Sequence, residues 1–359
     1  MRLIFDGHVD LALFGIAYNR DITETVTQIN LREEGMTDVH DRGCAVMSLP
    51  EMRRGGVAVC QSTVAARANQ NIRPKTGFLR TSLDFPTQSM AYAHAQAQLA
   101  YYRILSQQGE LRLIQTVGEL DDHWHQWKNG TCESLPVGVI VSMECADPIV
   151  EPSHAEAWYA DGVRSVSLAH FGVAHYAYGT GSSGPINVRT KELLKEFERI
   201  GMVLDLTHTS DPSFFEALNH FDGPVIASHT NCRALVPHKR QFSDEQLKLL
   251  LERDGVIGAA MDAWMLVPGW KLFESEPGDL KLNSVVDHVD HVCQLAGDSL
   301  HAAIGSDTGG SNHMPSDFVT SADLQRLEAS MQQRGYSDED IDNVFHHNWL
   351  RFFRRVMPE

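Results

Sequence analysis

Leu3-Ile4-Phe5-Asp6-Gly7-His8-Val9-Asp10 is a short apolar run that ends in an imidazole and a carboxylate two residues apart. Side chains two apart on a β-strand point to the same side. A strand here therefore aims His8 and Asp10 at one point, as a chelating pair for a divalent transition metal. Taken alone, the pair is weak evidence, and a strand end with two solvated polar groups is the readier reading. What decides between these readings is how the later strands end.

Working outward, the apolar run 136–143 (PVGVIVSM) stops at Glu144, 163–169 (VRSVSLA) at His170, and 203–207 (VLDLT) at His208. The run 225–228 (VIAS) stops at His229, and 301–306 at Asp307. Adding the first strand, 57–64 and 255–261 gives eight, with the short segment 111–117 left outside the series. Helical patterns fill the intervals, at 91–107, 118–128, 190–199, 212–219, 243–253 and 284–295. Alternating strand and helix predicts a (β/α)8 barrel of the TIM type, with a Rossmann-like sheet as runner-up. No G-x-G-x-x-G follows the first strand, which counts against the runner-up. Residues 11–34 read as a loop and short helix over the barrel mouth, and 67–88 as a long loop bordering it. No repeat or linker divides the chain, so residues 1–359 are expected to form one domain.

Chemistry on such a barrel gathers at the C-terminal ends of the strands. Six of the eight predicted strands end in ligand-type residues: His8 with Asp10, Glu144, His170, His208, His229 and Asp307. Three imidazoles and two carboxylates suit two zinc ions or similar borderline metals, with Glu144 central enough to bridge them. Two such metals share a hydroxide, whose formation near neutral pH they favour. The expected chemistry is hydrolysis.

Composition narrows the partners. Among 359 residues, 47 acidic against 30 basic side chains give a net charge of -17, so the overall field repels polyanions and nucleic acid is not an expected partner. No run reaches the ~18–20 apolar residues of a membrane span. The six cysteines, at 44, 60, 132, 145, 232 and 293, form no C-x-x-C pair and read as free thiols of a reducing compartment. The first strand begins without a leader, and the C-terminal Arg351-Phe352-Phe353-Arg354-Arg355 is no lipid-anchor tail, so the expected location is the cytoplasm.

The segments DGHVD, SMECAD, SLAH, DLTH, SHTNCRAL with HKR following, and IGSD together resemble the membrane (renal) dipeptidase family, peptidase family M19 of the amidohydrolase superfamily. The resemblance runs from Asp6 to near Asn348, and DLTH followed by SHTNCRAL is its most specific part. It implies a distorted (β/α)8 barrel holding two zinc ions. His8 and Asp10 would hold one, His208 and His229 the other, and Glu144 would bridge. It further implies that His170 binds the substrate carbonyl and steadies the oxyanion, that Arg240 holds the substrate carboxylate, and that Asp307 carries the proton to the leaving amine. An Arg fork suits a carboxylate, and a carboxylate beside cations suits proton transfer. The implied partner is a dipeptide, including one with a C-terminal D-residue; the implied assembly, where the chain self-associates, is a homodimer.

Several positions depart from the family pattern. Val9 stands where Asn is common, Cys145 where Gly usually follows the bridging Glu, and Gly309 where a second Asp is expected. The segment 171–179 lacks the Asn-rich, acidic run common there. Hydrolysis survives these changes, while the substrate becomes open to another small amide, ester or lactone. A catalytically silent metal scaffold is the third reading, and intact Asp307 and Arg240 weigh against it. Arg233 reads as structural. Asp6, Asp205 and Ser228 read either as hydrogen-bond supports for the imidazoles or as strand-end caps. Cys145 and Cys232 lie near ligands, but the ligand set is complete without a thiolate.

Overall fold

The protein is described by a computed structural model at residues 1–39, 41–68, 83–271, 274–309 and 313–359. Eight parallel strands build a distorted (β/α)8 barrel: β1 Ile4–Val9, β2 Val57–Ala65, β3 Val137–Glu144, β4 Val163–Ser167, β5 Val203–Asp205, β6 Val225–Ile226, β7 Ile257–Ala259 and β8 Ala302–Ile304. Every residue of these strands is buried, as befits a sheet covered on both faces. β1 to β6 form one continuous ladder and β7 pairs β8. Around the rest of the ring the contacts thin. A single bridge, Ala227 to Ile257, ties β6 to β7. β8 returns to β1 through the Asp307 amide on the His8 carbonyl (3.1 Å) and the Ser306 amide on Asp6 Oδ1 (2.8 Å).

The distortion has a local cause. A Cβ on Gly258 or Gly305 would lie 2.0 or 1.9 Å from the Ser228 carbonyl oxygen, so backbone from three strand ends meets where side chains normally fill a barrel. The segment at 111–117 does form a strand, Leu111–Leu113, outside the ring. It pairs Val137 to Val139 of β3, while Val141 to Met143 further along the same strand pair β4. Five predicted strands also stop short: β4 to β8 each leave the ladder two residues early, because the chain turns there to present its polar ends.

The helices match the expected pattern to within a few residues, and capping explains their bounds. The helix Val188–Ile200 begins where the Asn187 side chain accepts the Thr190 amide (3.1 Å) and ends at Gly201 with φ 75°. Its buried face is Thr190, Leu193, Leu194 and Phe197. Around the mouth, a π-helical turn Leu13–Ala17 and the helix Val26–Glu33 occupy the stretch expected there. Of the long loop expected at 67–88, Arg67–Ala68 pairs with Asp84–Phe85; positions 69–82 lie outside the described residues. The C-terminal helix Asn348–Val356 packs on the first and eighth strands. Trp349 donates to the Ile304 carbonyl (2.9 Å), and Phe353 stacks on Phe5 at 5.5 Å between centroids.

Candidate metal centre

The strand ends meet at Glu144. Its Oε1 lies 3.2 Å from His208 Nε2, 3.4 Å from His229 Nε2, 3.7 Å from His170 Nε2 and 3.9 Å from His8 Nε2. His8 Nε2 in turn lies 3.6 Å from Asp10 Oδ2 and 3.6 Å from Asp307 Oδ1. These donors fall into three overlapping triplets: His8, Glu144 and His229; Glu144, His170 and His208; His8, Asp10 and Asp307. All seven strand-end residues singled out in the sequence are thus brought together, and Glu144 and His8 each serve two triplets.

Hydrogen bonds behind the rings sort the imidazoles by role. The Ser228 hydroxyl donates to Asp205, so its oxygen must accept from His229 Nδ1 at 2.9 Å. The Thr180 hydroxyl donates to the His208 carbonyl at 3.5 Å and accepts from His208 Nδ1 at 3.0 Å. Both rings therefore carry their proton on Nδ1 and turn bare Nε2 lone pairs toward Glu144. His170 is the opposite case. Arg67 has only donors, and its Nη1 lies 3.1 Å from His170 Nδ1, so His170 Nδ1 accepts and Nε2 carries the hydrogen. Arg67 is itself fixed by a two-pronged pairing with Asp84 at 2.8 and 2.6 Å. His208 and His229 can bind a cation through Nε2, whereas His170 offers a donor.

This donor set fits metal. Two bare imidazole nitrogens face each other at 3.3 Å over a buried carboxylate. His8 Nε2 is buried and has no hydrogen-bond partner among the described residues. Burial drives His170, His208 and His229 well below the usual imidazole range, leaving them neutral. Burial also opposes charge on His8, yet Asp10 and Glu144 outweigh it and raise its pKa to about 10. Glu144, buried beside Asp10, is pushed up to about 7. Without a metal the carboxylates hold a proton on His8, and a divalent cation would take that proton's place as their counter-charge.

The surrounding positions account for the departures. Cys145 adopts φ 80°, the left-handed region where glycine is at ease, and its amide donates to Ser167 Oγ at 3.0 Å. Burial raises its thiol well above the usual range, so it stays protonated and outside the ligand triplets. A Cβ at Gly309 would lie 1.6 Å from the Phe14 ring, so Phe14 fills the space an Asp side chain would need. The segment 171–179 folds back on itself through a bridge between Phe171 and Thr180, which carries Thr180 behind His208. Asp6 accepts from the His8 and Ser306 amides, closing the barrel as well as bracing the ligand strand.

Arg240 is 1% exposed. It donates to the His229 carbonyl (2.7 Å) and to Thr230 Oγ1 (3.4 Å), while its Nε has no partner, and it makes no ion pair with a carboxylate among the described residues. Arg233 pairs with Asp211 at 2.8 and 2.7 Å, a structural contact as expected. Asp307, at φ 55°, is raised well above the usual carboxylate range by burial and by neighbouring Asp262. Asp262 lies 2.8 Å from His313.

Sequence reasoning missed Thr63, Arg67, Thr180 and Asp262. Asp262 directly follows the predicted seventh strand, so the strand-end rule carried to all eight would have found it; Thr63, whose hydroxyl donates to Asp10, lies inside the second strand, two residues before its end, where that rule does not look. Arg67 and Thr180 lie on segments that fold back, and nothing local marks them. Volume is no guide to the site either. A larger cavity, about 630 Å³, lies beside the helix Val26–Glu33, but its charged groups already pair, Arg20 and Arg42 with Glu33 and Arg32 with Glu24.

A family model for the membrane dipeptidases, peptidase family M19, matches residues 2–358. The chain belongs to this family. Dipeptidase verJ of Clonostachys rogersoniana is 30% identical over 281 residues, 76% of this chain and 67% of that protein. Dipeptidase tcpJ of Claviceps purpurea is 34% identical over 202 residues, 54% of this chain and 45% of that protein. Like the latter, several curated relatives are matched over about half of their length or less. A metallo peptidase of Rhodobacter sphaeroides, solved with a phosphinate mimic of the dipeptide L-Ala-D-Ala, shares the fold with a TM-score of 0.76 at 22% identity, over 99% of both chains. M19 membership accords with the metal-ready cluster. Among the described residues no helix is long and apolar enough to cross a membrane.

Proposed function

We propose that this chain is a metal-dependent dipeptidase that takes dipeptides with a free C-terminal carboxylate. The observation that carries the reading is the buried guanidinium of Arg240, without a carboxylate partner, bonded to the backbone of His229 in the Glu144-centred cluster. His8, Asp10, Glu144, His208 and His229 would hold two divalent ions, zinc or similar. When bound, these supply a water ionised near neutral pH and polarise the scissile carbonyl.

The chain's own groups do the rest. Arg240 receives the substrate carboxylate in its fork. His170, with its hydrogen on Nε2, donates to the carbonyl oxygen as negative charge develops there. Asp307, whose Oδ1 stands 3.6 Å from His8 Nε2 in the cluster, takes the proton of the attacking water on Oδ and passes it to the leaving nitrogen. Arg240 reads the carboxylate alone and does not itself select the configuration of the residue that bears it, so the proposal includes a D-residue at that end.

The test combines elemental analysis with turnover. Close to two metals per chain are expected, with faster cleavage of free than of C-terminally amidated dipeptides. Asp307→Asn should keep both metals while kcat falls by about 10²–10⁴. Equal cleavage of free and amidated substrates would point instead to a broader amide, ester or lactone hydrolase. Full metal occupancy with no hydrolysis would leave a silent scaffold.

A further inference from the structure

A second cavity, about 320 Å³, adjoins the metal centre and has no role in the mechanism above. Its walls include Phe171, Val236, His238, Trp264 and Trp270. Three of these are tied in sequence to groups of the site. Phe171 follows His170, His238 precedes Arg240 by two residues, and Trp264 follows Asp262 by two. The ties are also physical. The Phe171 ring stands edge-on to His170 and His208, with centroids 4.8 and 5.1 Å apart. The Arg240 amide donates to His238 Nδ1 at 3.1 Å, and the His238 ring stands edge-on to Trp264 at 5.3 Å. Through Phe171 and His238 the cavity adjoins the donor His170 and the carboxylate clamp Arg240.

Its chemistry is uncharged and aromatic. Among the described residues no Asp, Glu, Lys or Arg lines it. His238 accepts at Nδ1, and burial lowers its pKa, so it is neutral. The indole Nε1 of Trp270 is buried without an acceptor among the described residues. Phe171 and His238 stand exposed at its rim and Val236 is buried at its wall, so a charged side chain here would lose part of its water and find no counter-charge among the described residues. An aromatic one would meet ring faces and edges in favourable geometry. The volume is at the low end of small-ligand pockets, which run from about 300 Å³, and so suits one side chain.

We propose that this cavity receives the side chain of the residue bearing the substrate carboxylate, and that it selects a large apolar, preferentially aromatic, residue at that position. The proposal rests on the dipeptidase reading and names its substrate class. Burying a ring in place of a hydrogen is worth about 10–100-fold in kcat/KM.

The test uses the metal-loaded full chain with Ala-Phe, Ala-Leu, Ala-Asp and Ala-Gly. Ala-Phe should exceed Ala-Gly by about 10–100-fold in kcat/KM, with Ala-Leu between them and Ala-Asp lowest. Trp270→Ala and Trp264→Leu should each cut Ala-Phe cleavage by about 10-fold and leave Ala-Gly within about 2-fold. Equal rates on Ala-Phe and Ala-Gly, or variants that slow both alike, would overturn the subsite with the dipeptidase reading intact. Failure to cleave any of the four would sink both. The wild-type ratio needs no variant, so a variant that does not fold leaves the test standing.

Discussion

Replacing Arg67 with Met isolates one hydrogen bond that no sequence pattern marks. In the native protein Arg67 Nη1 reaches His170 Nδ1 at 3.1 Å and holds the ring with its hydrogen on Nε2, toward Glu144 and the reacting carbonyl. Methionine preserves the stem and removes the donor, so the ring is free to place its hydrogen on Nδ1, and Nε2 then presents a lone pair to a developing oxyanion. A hydrogen bond to a charged group contributes about 1.5–3 kcal/mol, which converts to a loss of about 10–150-fold in kcat. Metal content should not change, because His170 supplies a donor and not a ligand. The assay is turnover and elemental analysis on four proteins: wild type, Arg67→Met, His170→Ala and the double variant. If Arg67 acts through His170, its replacement in the His170→Ala background should cost no more than about 2-fold. An equal loss in both backgrounds would refute the coupling. Loss of a metal from His170→Ala would refute the assignment of the ring as a donor.

Three further outcomes follow from other parts of the site and core. Arg240→Ala should lose about 2–4 kcal/mol of transition-state stabilisation on free dipeptides and far less on their amides, measured as kcat/KM for the pair. A loss equal on both would mean that Arg240 does not read the carboxylate. Cys145→Gly should retain activity and raise stability by up to about 1 kcal/mol in urea unfolding, since glycine relieves the left-handed backbone at φ 80°; a loss above about 2 kcal/mol would place the value of this residue in its packing. His123 and His288 are each lowered by burial to about 4, below an unfolded value near 6.5. Their folded pKa is depressed, so the stability each contributes is complete above pH 6.5 and is lost as the pH falls through 4, by about 2–4 kcal/mol apiece. His123→Gln should flatten the urea midpoint between pH 6.5 and 4, and an unchanged profile would show that another group sets it.

The barrel and most of its centre were legible in the sequence for one physical reason: parallel strands buried on both faces are apolar until they emerge, so the first polar residue marks the mouth. That contrast picked out Glu144, His170, His208, His229 and Asp307 from strand ends alone. It says nothing of which nitrogen of each ring carries a hydrogen. This depends on Thr180, Ser228 and Arg67, two of which arrive from loops whose path is set by tertiary packing. The strand Leu111–Leu113 was left out of the ring because it is short, and it does lie outside, sharing an edge of the third strand with the fourth. The departure at Cys145 was visible as a residue change, but its cost appears only in the backbone angle.

The contact between Phe14 and Gly309 constrains the history of this chain as much as its shape. With a ring atom 1.6 Å from where a side chain at 309 would begin, Gly309→Asp clashes unless Phe14 has already been trimmed. Trimming Phe14 first withdraws the ring over which the Arg20 guanidinium lies, at 5.5 Å. Neither order offers a neutral first step, so the two positions are expected to travel together through descent. Relatives that carry a bulky aromatic at 14 should carry glycine at 309, and those with an acid at 309 should carry a small residue at 14.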